Sequence, residues 1–543
     1  MKDRSLLVLL AGWALFALAS IWLRPLWPVD ETRYASVAWE MWLRGDFLVP
    51  HINGEPYSHK PPLLFWLIQL GWALLGVNDW WPRLVAPLCA LGAVPLTLRL
   101  GQLLWPGQRE LHEQAVWILF GTLLFAGFIT LTMFDLLLLL CGLIGMIGVV
   151  ELAKGKRRTG LLWLGAGIGL GVLAKGPVIL LHVLPAAVVA PWWAPHLKGR
   201  LGRWYLDLLL GVLLGTAIAL TWALPAAYFG GEEYRRAIFW GQTAGRVSDS
   251  FAHRAAWWHY LPLLPVILFP WIVWPRVWHG MKGVFSNSGS KFLIAWLVLT
   301  LVGFSLVSGK QAKYLVPFVP AFALLVAYAL SKVTAPMHGG TAPARCGTAP
   351  ARWWEMLPPA IGFLALPAFL AYLRSRPPAM KLPEWAGEIP LWPIALLALA
   401  APLLLYFCRK SNLVQLRALS FAMLAAFAVV GAGVIPAFVP YSDPGPAARH
   451  LASLQAASVP LAHLGKYHAQ YNFVGRLRAP IEILEVAELK SWVAAHPSGQ
   501  VITVERSRHA AAGAAPDYQA PFRGAWLQVW RGATLLVARP ELR

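Results

Sequence analysis

Long apolar runs recur along this chain, and their number constrains the fold more than any other feature. They lie near 5–23, 84–104, 113–131, 135–151, 160–175, 178–193, 206–228, 260–275, 292–307, 314–331, 357–373, 389–408 and 417–436. Most approach or reach the roughly 17–25 residues that cross the hydrocarbon of a bilayer. Within hydrocarbon every backbone N–H and C=O must be bonded inside its own segment, so runs of this kind fold as helices. The chain therefore reads as a mostly α, polytopic membrane protein with about 13 transmembrane helices. Composition agrees: 58% of its 543 residues are apolar and only 13% are charged, which lies outside the soluble globular range.

Charge orients these spans. The formal net charge is +21, but the basic residues are scattered between spans rather than gathered for nucleic acid. They fit loops that face anionic membrane lipids. Arg24-Pro25-Leu26-Trp27 follows the first run where a signal peptide would carry a small-residue cleavage site, so this run is read as a retained span with a cytoplasmic N-terminus. An odd number of crossings then puts Lys154 to Arg158, Lys198/Arg200/Arg203, Arg276/Lys282/Lys291, Lys332/Arg345/Arg352 and Arg409/Lys410/Arg417 inside. All these loops are basic and nearly free of Asp and Glu, as the positive-inside tendency requires. Residues 1–440 are read as the membrane domain and 441–543 as a small α/β domain on the outer face. Tryptophans cluster at span ends, as at Trp80-Trp81 and Trp192-Trp193, where they anchor to the interface. The four cysteines, Cys89, Cys141, Cys346 and Cys408, show no metal-ligand spacing, and no disulfide is expected.

Two outer helices complete the plan. The segment 63–75 is apolar but short for a span, and counting it would invert every later loop, so it is read as interfacial. A second interfacial helix runs from Asp30 to Arg44, ended by Gly45, with Asp30, Arg33, Tyr34 and Val37 on one face. Residues 340–345 and 347–352 form a short tandem duplication in a linker. In the C-terminal domain 459–464 and 500–505 read as strands and 486–495 as a helix. Residues 527–530 and 534–538 read as a closing hairpin around Arg531-Gly532.

The first outer loop, 24–83, concentrates polar residues beside the membrane, in Asp30-Glu31-Thr32-Arg33-Tyr34 and in Pro56-Tyr57-Ser58-His59-Lys60-Pro61-Pro62. Ionisable groups held there serve chemistry or ion traffic. Asp30 after Pro28 could simply cap a helix; with Glu31 it could also deprotonate a hydroxyl or orient an acceptor. Arg33 offers a bidentate fork and Lys60 a compact charge for phosphate, the latter at a helix start marked by two prolines. Asp135, Lys175 and Lys310 fall at the same outer ends, as does the loop 230–259 with Arg246, His253 and His259. Such an excess of cations on the outer side argues for anionic ligands. His51 and His59 with Asp30 and Glu31 could hold a divalent metal, although their spacing is not diagnostic.

At Asp30 to Ala35, Gly45-Asp46, Pro50 to Gly54, Tyr57 and Lys60-Pro61-Pro62-Leu63 the chain resembles the aminoarabinose transferase and protein mannosyltransferase group. These are integral membrane glycosyltransferases of the C-type fold that use polyprenyl-phosphate-linked sugars. The similarity extends to Lys175-Gly176 and to Lys310 through Tyr314-Leu315-Val316-Pro317. The resemblance implies that Asp30 is the essential carboxylate and that Arg33 and Lys60 bind the lipid phosphate. It places Tyr314 near that phosphate and makes Asp135 a rough match to a second functional aspartate. The partners it implies are a polyprenyl-phosphate sugar and an acceptor that is lipid A or another glycan or protein. His59 departs from the group's aminoarabinose branch, which carries Glu just before the Lys, and this leaves the acceptor open. Tyr57, Lys175 and Lys310 complete the expected phosphate site. A transporter would instead place its ionisable groups and broken helices near the midplane, with internal repeats.

Overall fold

The computed structural model describes residues 4–241, 254–333, 352–375, 384–506 and 514–542. Most of the duplicated linker, Cys346, Arg246 and His253 fall outside the described residues. Eight helices among those described are long and apolar enough to cross a membrane: Arg4–Leu23 (α1), Trp81–Leu104, Asp135–Ala153, Pro195–Phe229, Ser288–Leu306, Ala312–Lys332, Trp353–Ser375 and Asn412–Tyr441. Arg157–Lys175 is a further continuous helix of 19 residues. The other four expected runs are interrupted. Arg109–Gly121 and Leu123–Phe128 part at Thr122, whose Oγ1 donates back to the Ile118 carbonyl at 2.6 Å. Ile179–Val188 contains Pro185 and gives way to Ala190–Trp193. Only short turns occupy 261–267, and Leu391–Ala398 breaks from Ala400–Tyr406. Proline removes a donor and kinks a helix, and such breaks survive at membrane depth where protein or water meets the freed groups.

Glycines set the tightest helix contact. A Cβ on Gly148 would lie 2.3 Å from the backbone nitrogen of Leu164, and one on Gly167 would lie 2.3 Å from that of Gly145. Small residues let helices in lipid approach to backbone contact. Here they hold Asp135–Ala153 against Arg157–Lys175, which brings the start of one helix beside the end of the other.

Both helices of the first loop form at the expected bounds, Asp30–Arg44 (α2) and Leu63–Leu75 (α3), and a short antiparallel hairpin, His51–Ile52 (β1) with Glu55–Pro56 (β2), lies between them. Helix α2 buries Tyr34, Val37, Ala38 and Met41, and ends where Gly45 turns left-handed at φ 64°. Its N-cap is Val29 and makes no side-chain cap bond, so the Asp30 carboxylate is left to meet other side chains.

The C-terminal domain is a five-stranded sheet in the order β4-β3-β5-β7-β6, with β3 at Leu461–Leu464, β4 at Glu482–Leu484, β5 at Gln500–Glu505, β6 at Tyr518–Phe522 and β7 at Ala525–Arg531. Strand β3 runs parallel to β4 and β5, whereas β7 is antiparallel to β5 and β6. The expected strands at 459–464 and 500–505 and the helix ending at Ala495 are present. The expected closing hairpin is corrected: its first arm is β7, but residues 534–538 belong to the helix Gly532–Ala538. Leu535 and Ala538, three apart, bury one helical face against Trp530 and Val493. The hairpin partner is β6, joined to β7 through Arg523-Gly524. This domain sits on α2. Ser36 Oγ donates to the Ala469 carbonyl at 2.7 Å, Trp39 Nε1 to the Leu477 carbonyl at 2.9 Å, and Asn53 Nδ2 to the Ile481 carbonyl at 2.8 Å.

Candidate active site

The first turn of α2 places Asp30 and Arg33 on one face, where their side chains form an ion pair. Lys313 Nζ reaches the other carboxylate oxygen of Asp30 at 3.2 Å. The three side chains are only 34%, 22% and 21% exposed, in the order Asp30, Arg33, Lys313. Burial pushes Asp30 upward, but the charges of Lys313, Arg33 and Lys60 outweigh it and hold the carboxyl below the usual carboxylate range. Tyr57 and Tyr34 frame Arg33, whose guanidinium carbon lies 5.5 Å from the Tyr34 ring centroid. Lys60 Nζ donates to the His59 carbonyl at 3.2 Å, and the His59 ring stacks on Tyr57 with centroids 5.3 Å apart. The first-loop residues expected together, Asp30, Arg33, Tyr57 and Lys60, are therefore neighbours. The missed member is Lys313. Its signal was present in Lys310-Gln311-Ala312-Lys313-Tyr314, but spacing alone could not tell which lysine faces the carboxylate. The turn Ala312–Phe318 decides it.

Glu31, expected beside Asp30 as a catalytic carboxylate, points elsewhere. It is 2% exposed and takes a two-pronged bond from Arg24, at 2.5 and 3.0 Å. It also accepts from the backbone nitrogens of Trp27 at 2.9 Å and Thr132 at 2.5 Å. Both oxygens are occupied by protein. Arg83 closes the clasp by donating to the carbonyls of Ser20, Ile21 and Arg24.

Asp135 and Lys175 are joined by the tight helix pair already described. Their ion pair is 2.5 Å long, Asp135 is 1% exposed, and Lys175 Nζ sits 5.1 Å from the Tyr314 ring centroid. Lys310, expected on phosphate, instead donates to the carbonyls of Ala255 at 3.0 Å and Val307 at 2.6 Å, and is 6% exposed. It ties the loop after Ser288–Leu306 to the preceding chain. The alternative of a metal held by His51, His59, Asp30 and Glu31 is not supported by their placement. Among the described residues no group of three His, Cys, Asp or Glu side chains is arranged to hold a metal ion. His51 Nδ1 bonds the Val49 carbonyl at 2.8 Å and faces Asp46.

The C-terminal domain adds residues that the sequence did not single out. His468 lies within electrostatic reach of Arg33 and Asp30, with Arg523 and Lys466 around it; burial first, then these cations, pull its imidazole below the ordinary histidine range. A 465–470 loop of a soluble domain carries no pattern that marks it as part of a membrane site.

The carboxylate of Asp30 is thus ringed by cations on the loop between the first helices of a polytopic bundle. Residues 59–222 match the family model described as dolichyl-phosphate-mannose-protein mannosyltransferase. The undecaprenyl phosphate-alpha-4-amino-4-deoxy-L-arabinose arabinosyl transferase of Pseudomonas aeruginosa is 32% identical over 423 residues, 73% of this chain and 73% of that protein. A Pseudomonas fluorescens protein of the same name is 32% identical over 335 residues, 60% of this chain and 59% of the relative's own length. The crystal structure of ArnT from Cupriavidus metallidurans bound to undecaprenyl phosphate superposes with a TM-score of 0.73 at 18% identity, over 93% of this chain and 94% of that one. The fold is that of an integral membrane glycosyltransferase. The chain belongs to the family of the undecaprenyl phosphate-aminoarabinose arabinosyl transferases, which are polyprenyl-phosphate-sugar-dependent enzymes.

Proposed function

We propose that this protein moves 4-amino-4-deoxy-L-arabinose from undecaprenyl phosphate to a phosphate of lipid A. The site would open on the periplasmic face of the inner membrane, with the N-terminus inside and the C-terminal domain outside, as the basic loops argue. The observation that carries the reading is Asp30 held ionised between Lys313 and Arg33, with Lys60 close by. Arg33, Lys60 and Lys313 would bind the donor phosphate and meet the charge that grows on it as it leaves, which preorganised cations do well in a water-poor site.

The bookkeeping of the reaction favours this acceptor. An oxygen of a phosphate monoester attacks the anomeric carbon from the side opposite the leaving group, and a new C–O bond forms with inversion. The bond from that carbon to the undecaprenyl phosphate oxygen breaks and its electron pair leaves with the lipid phosphate. One phosphate goes from monoester to diester and the other from diester to monoester, so no proton has to move. A phosphate monoester, with its second pKa near 6, is already largely ionised at neutral pH. Asp30, held below the usual carboxylate range, is a poor base but a good fixed anion; it would position the cations and the sugar. A hydroxyl acceptor would require a base, and this carboxylate is tuned away from that task. Asp135 with Lys175, beside Tyr314, would shape the wall of the same site, and Glu31 would act through the clasp rather than on substrate.

The match to the mannosyltransferase family model supports one competing reading, transfer to a protein or other glycan. Reconstitution in vesicles with undecaprenyl-phosphate aminoarabinose tests both. Sugar should appear on lipid A with the wild type and fall sharply with Asp30→Ala and Lys60→Ala. Normal turnover in both variants would sink the site assignment, and sugar on protein alone would select the competing acceptor.

A further inference from the structure

We propose that the cavity at the C-terminal end of α2 binds the zwitterionic headgroup of a membrane phospholipid, with a primary ammonium on Asp46 and His51 and the phosphate on Arg44 and Tyr234. The cavity has a volume of about 560 Å³ and is lined by Arg44, Asp46, Val49, His51, Phe229 and Gly230. Asp30 lies at the other end of the same 15-residue helix, roughly 20 Å away along its axis. The headgroup site is therefore separate from the cluster around Asp30, and it stands whether or not the transfer reading holds. Its walls are fixed by bonds that use only part of each polar side chain. Asp46 accepts through Oδ1 from the backbone nitrogens of Leu48 at 2.9 Å and Val49 at 3.0 Å. Its Oδ2 has no hydrogen-bond donor among the described residues, and His51 stands 3.9 Å from it. His51 Nδ1 donates to the Val49 carbonyl at 2.8 Å, so Nε2 of the neutral ring is an acceptor. Arg44 spends Nε and Nη2 on Glu40 and the Gly54 carbonyl, which leaves Nη1. Trp66 and Trp222 pin the turn by donating to the carbonyls of Phe47 at 2.7 Å and Leu48 at 2.9 Å.

Tyr234 is the residue that calls for a ligand. It packs in one cluster with Val49 and Trp222, and a Cβ on Gly230 would strike its ring. The residue is 3% exposed, yet its hydroxyl has no hydrogen-bond partner among the described residues. Hydroxyls are seldom buried in that state unless something absent from the protein alone completes them. Burial and the charge of Asp46 push the phenol up, which keeps it protonated and able to donate.

Charge and surroundings select the class of ligand. Glu40 pairs with Arg44, and Asp46 adds a second carboxylate, so the cavity has no excess of cations for a purely anionic headgroup. Arg235 and Arg236 of the adjoining turn are both paired with Glu232. An ammonium beside a phosphate matches a carboxylate beside a guanidinium. The mouth faces lipid: Leu224, Tyr228 and Phe229 close the span Pro195–Phe229 and are 57%, 81% and 73% exposed. Aromatic rings at a span end sit at headgroup level, and apolar side chains there suit acyl chains rather than a soluble amine.

The test uses native mass spectrometry of the full chain in detergent, with phosphatidylethanolamine, phosphatidylcholine or phosphatidylglycerol added at equal concentration. The wild type should bind one phosphatidylethanolamine about tenfold or more tightly than either other lipid. Asp46→Asn removes the charge but keeps the turn, because an amide oxygen accepts the same two N–H bonds; Tyr234→Phe removes only the hydroxyl. Each should weaken phosphatidylethanolamine about tenfold and leave phosphatidylglycerol unchanged. Without lipid the Tyr234 hydroxyl has nothing to lose, so Tyr234→Phe should unfold in lipid-free detergent no earlier than the wild type. Earlier unfolding would mean that the hydroxyl has a protein partner, and it overturns the site. Equal binding of the three lipids by the wild type overturns it too, as does wild-type affinity for phosphatidylethanolamine in a monodisperse Tyr234→Phe protein, which decides alone if Asp46→Asn does not fold. Displacement of the lipid by an equal concentration of water-soluble glycerophosphoethanolamine, or by undecaprenyl-phosphate aminoarabinose, gives the ammonium pocket to a different ligand and overturns the phospholipid.

Discussion

Asp30 and Glu31 are adjacent in sequence, yet they occupy opposite kinds of environment. One helical step turns a side chain by about 100°, and that step sends Glu31 into a sealed clasp with Arg24 and leaves Asp30 part-exposed among Arg33, Lys313 and Lys60. In the clasp every carboxylate oxygen is met by protein, so the group can only hold structure together. In the cluster the cations outnumber the carboxylate, so positive charge remains for an anionic ligand. The difference teaches that exposure and charge balance, rather than residue type, separate the chemical carboxylate from the structural one.

The comparison is most sharply broken by removing the sealed partner. Glu31→Ala leaves Arg24 buried and unpaired, which costs about 3–5 kcal/mol. Folded protein should largely disappear, as read by size-exclusion of the detergent extract and by thermal unfolding. A well-folded Glu31→Ala protein that binds donor but does not turn over would assign Glu31 to the chemistry after all. Asp30→Asn should do the reverse, with near-normal unfolding temperature and transfer reduced by roughly a hundredfold or more. Loss of fold in that variant would erase the contrast between the two carboxylates.

Much of the scaffold was legible because it rests on local rules. The long apolar runs, the helix from Asp30 to Arg44 closed by Gly45, and the strands at 461–464 and 500–505 follow from hydropathy, period and capping. The first-loop cluster was legible because its members lie close in sequence. What could not be read depended on distant contacts. The choice of Lys313 over Lys310 is made by a turn that begins at Ala312. The assignment of Glu31 to the clasp needs Arg24 and Thr132 in place. The error at 534–538 came from reading a short apolar run as a strand, where Leu535 and Ala538 instead obey a helical repeat against Trp530. The approach of His468 to Arg33 depends on a domain docking across more than 400 residues of chain, seen in Ser36 bonding Ala469 with a separation of 433 residues.

The smallest expected effects sharpen the comparison within the cluster itself. Lys313→Ala removes a cation that touches Asp30, so donor KM should rise about tenfold, the typical loss of one charged hydrogen bond. Lys310→Ala removes a lysine whose Nζ is committed to two carbonyls, and its donor KM should move less than that. The pH profile supplies the finer reading. Lys313, Arg33 and Lys60 favour the charged form of Asp30 and hold its pKa down, so the wild type should show no acid limb from this group until below the ordinary carboxylate range. Taking Lys313 away removes part of that support, and the carboxyl pKa must then rise because burial still disfavours its charge. The acid limb of kcat/KM should therefore move to higher pH in Lys313→Ala and stay in place in Lys310→Ala. A shift of equal size in both variants would mean that the two lysines share Asp30 in solution, and that the turn at Ala312 does not choose between them.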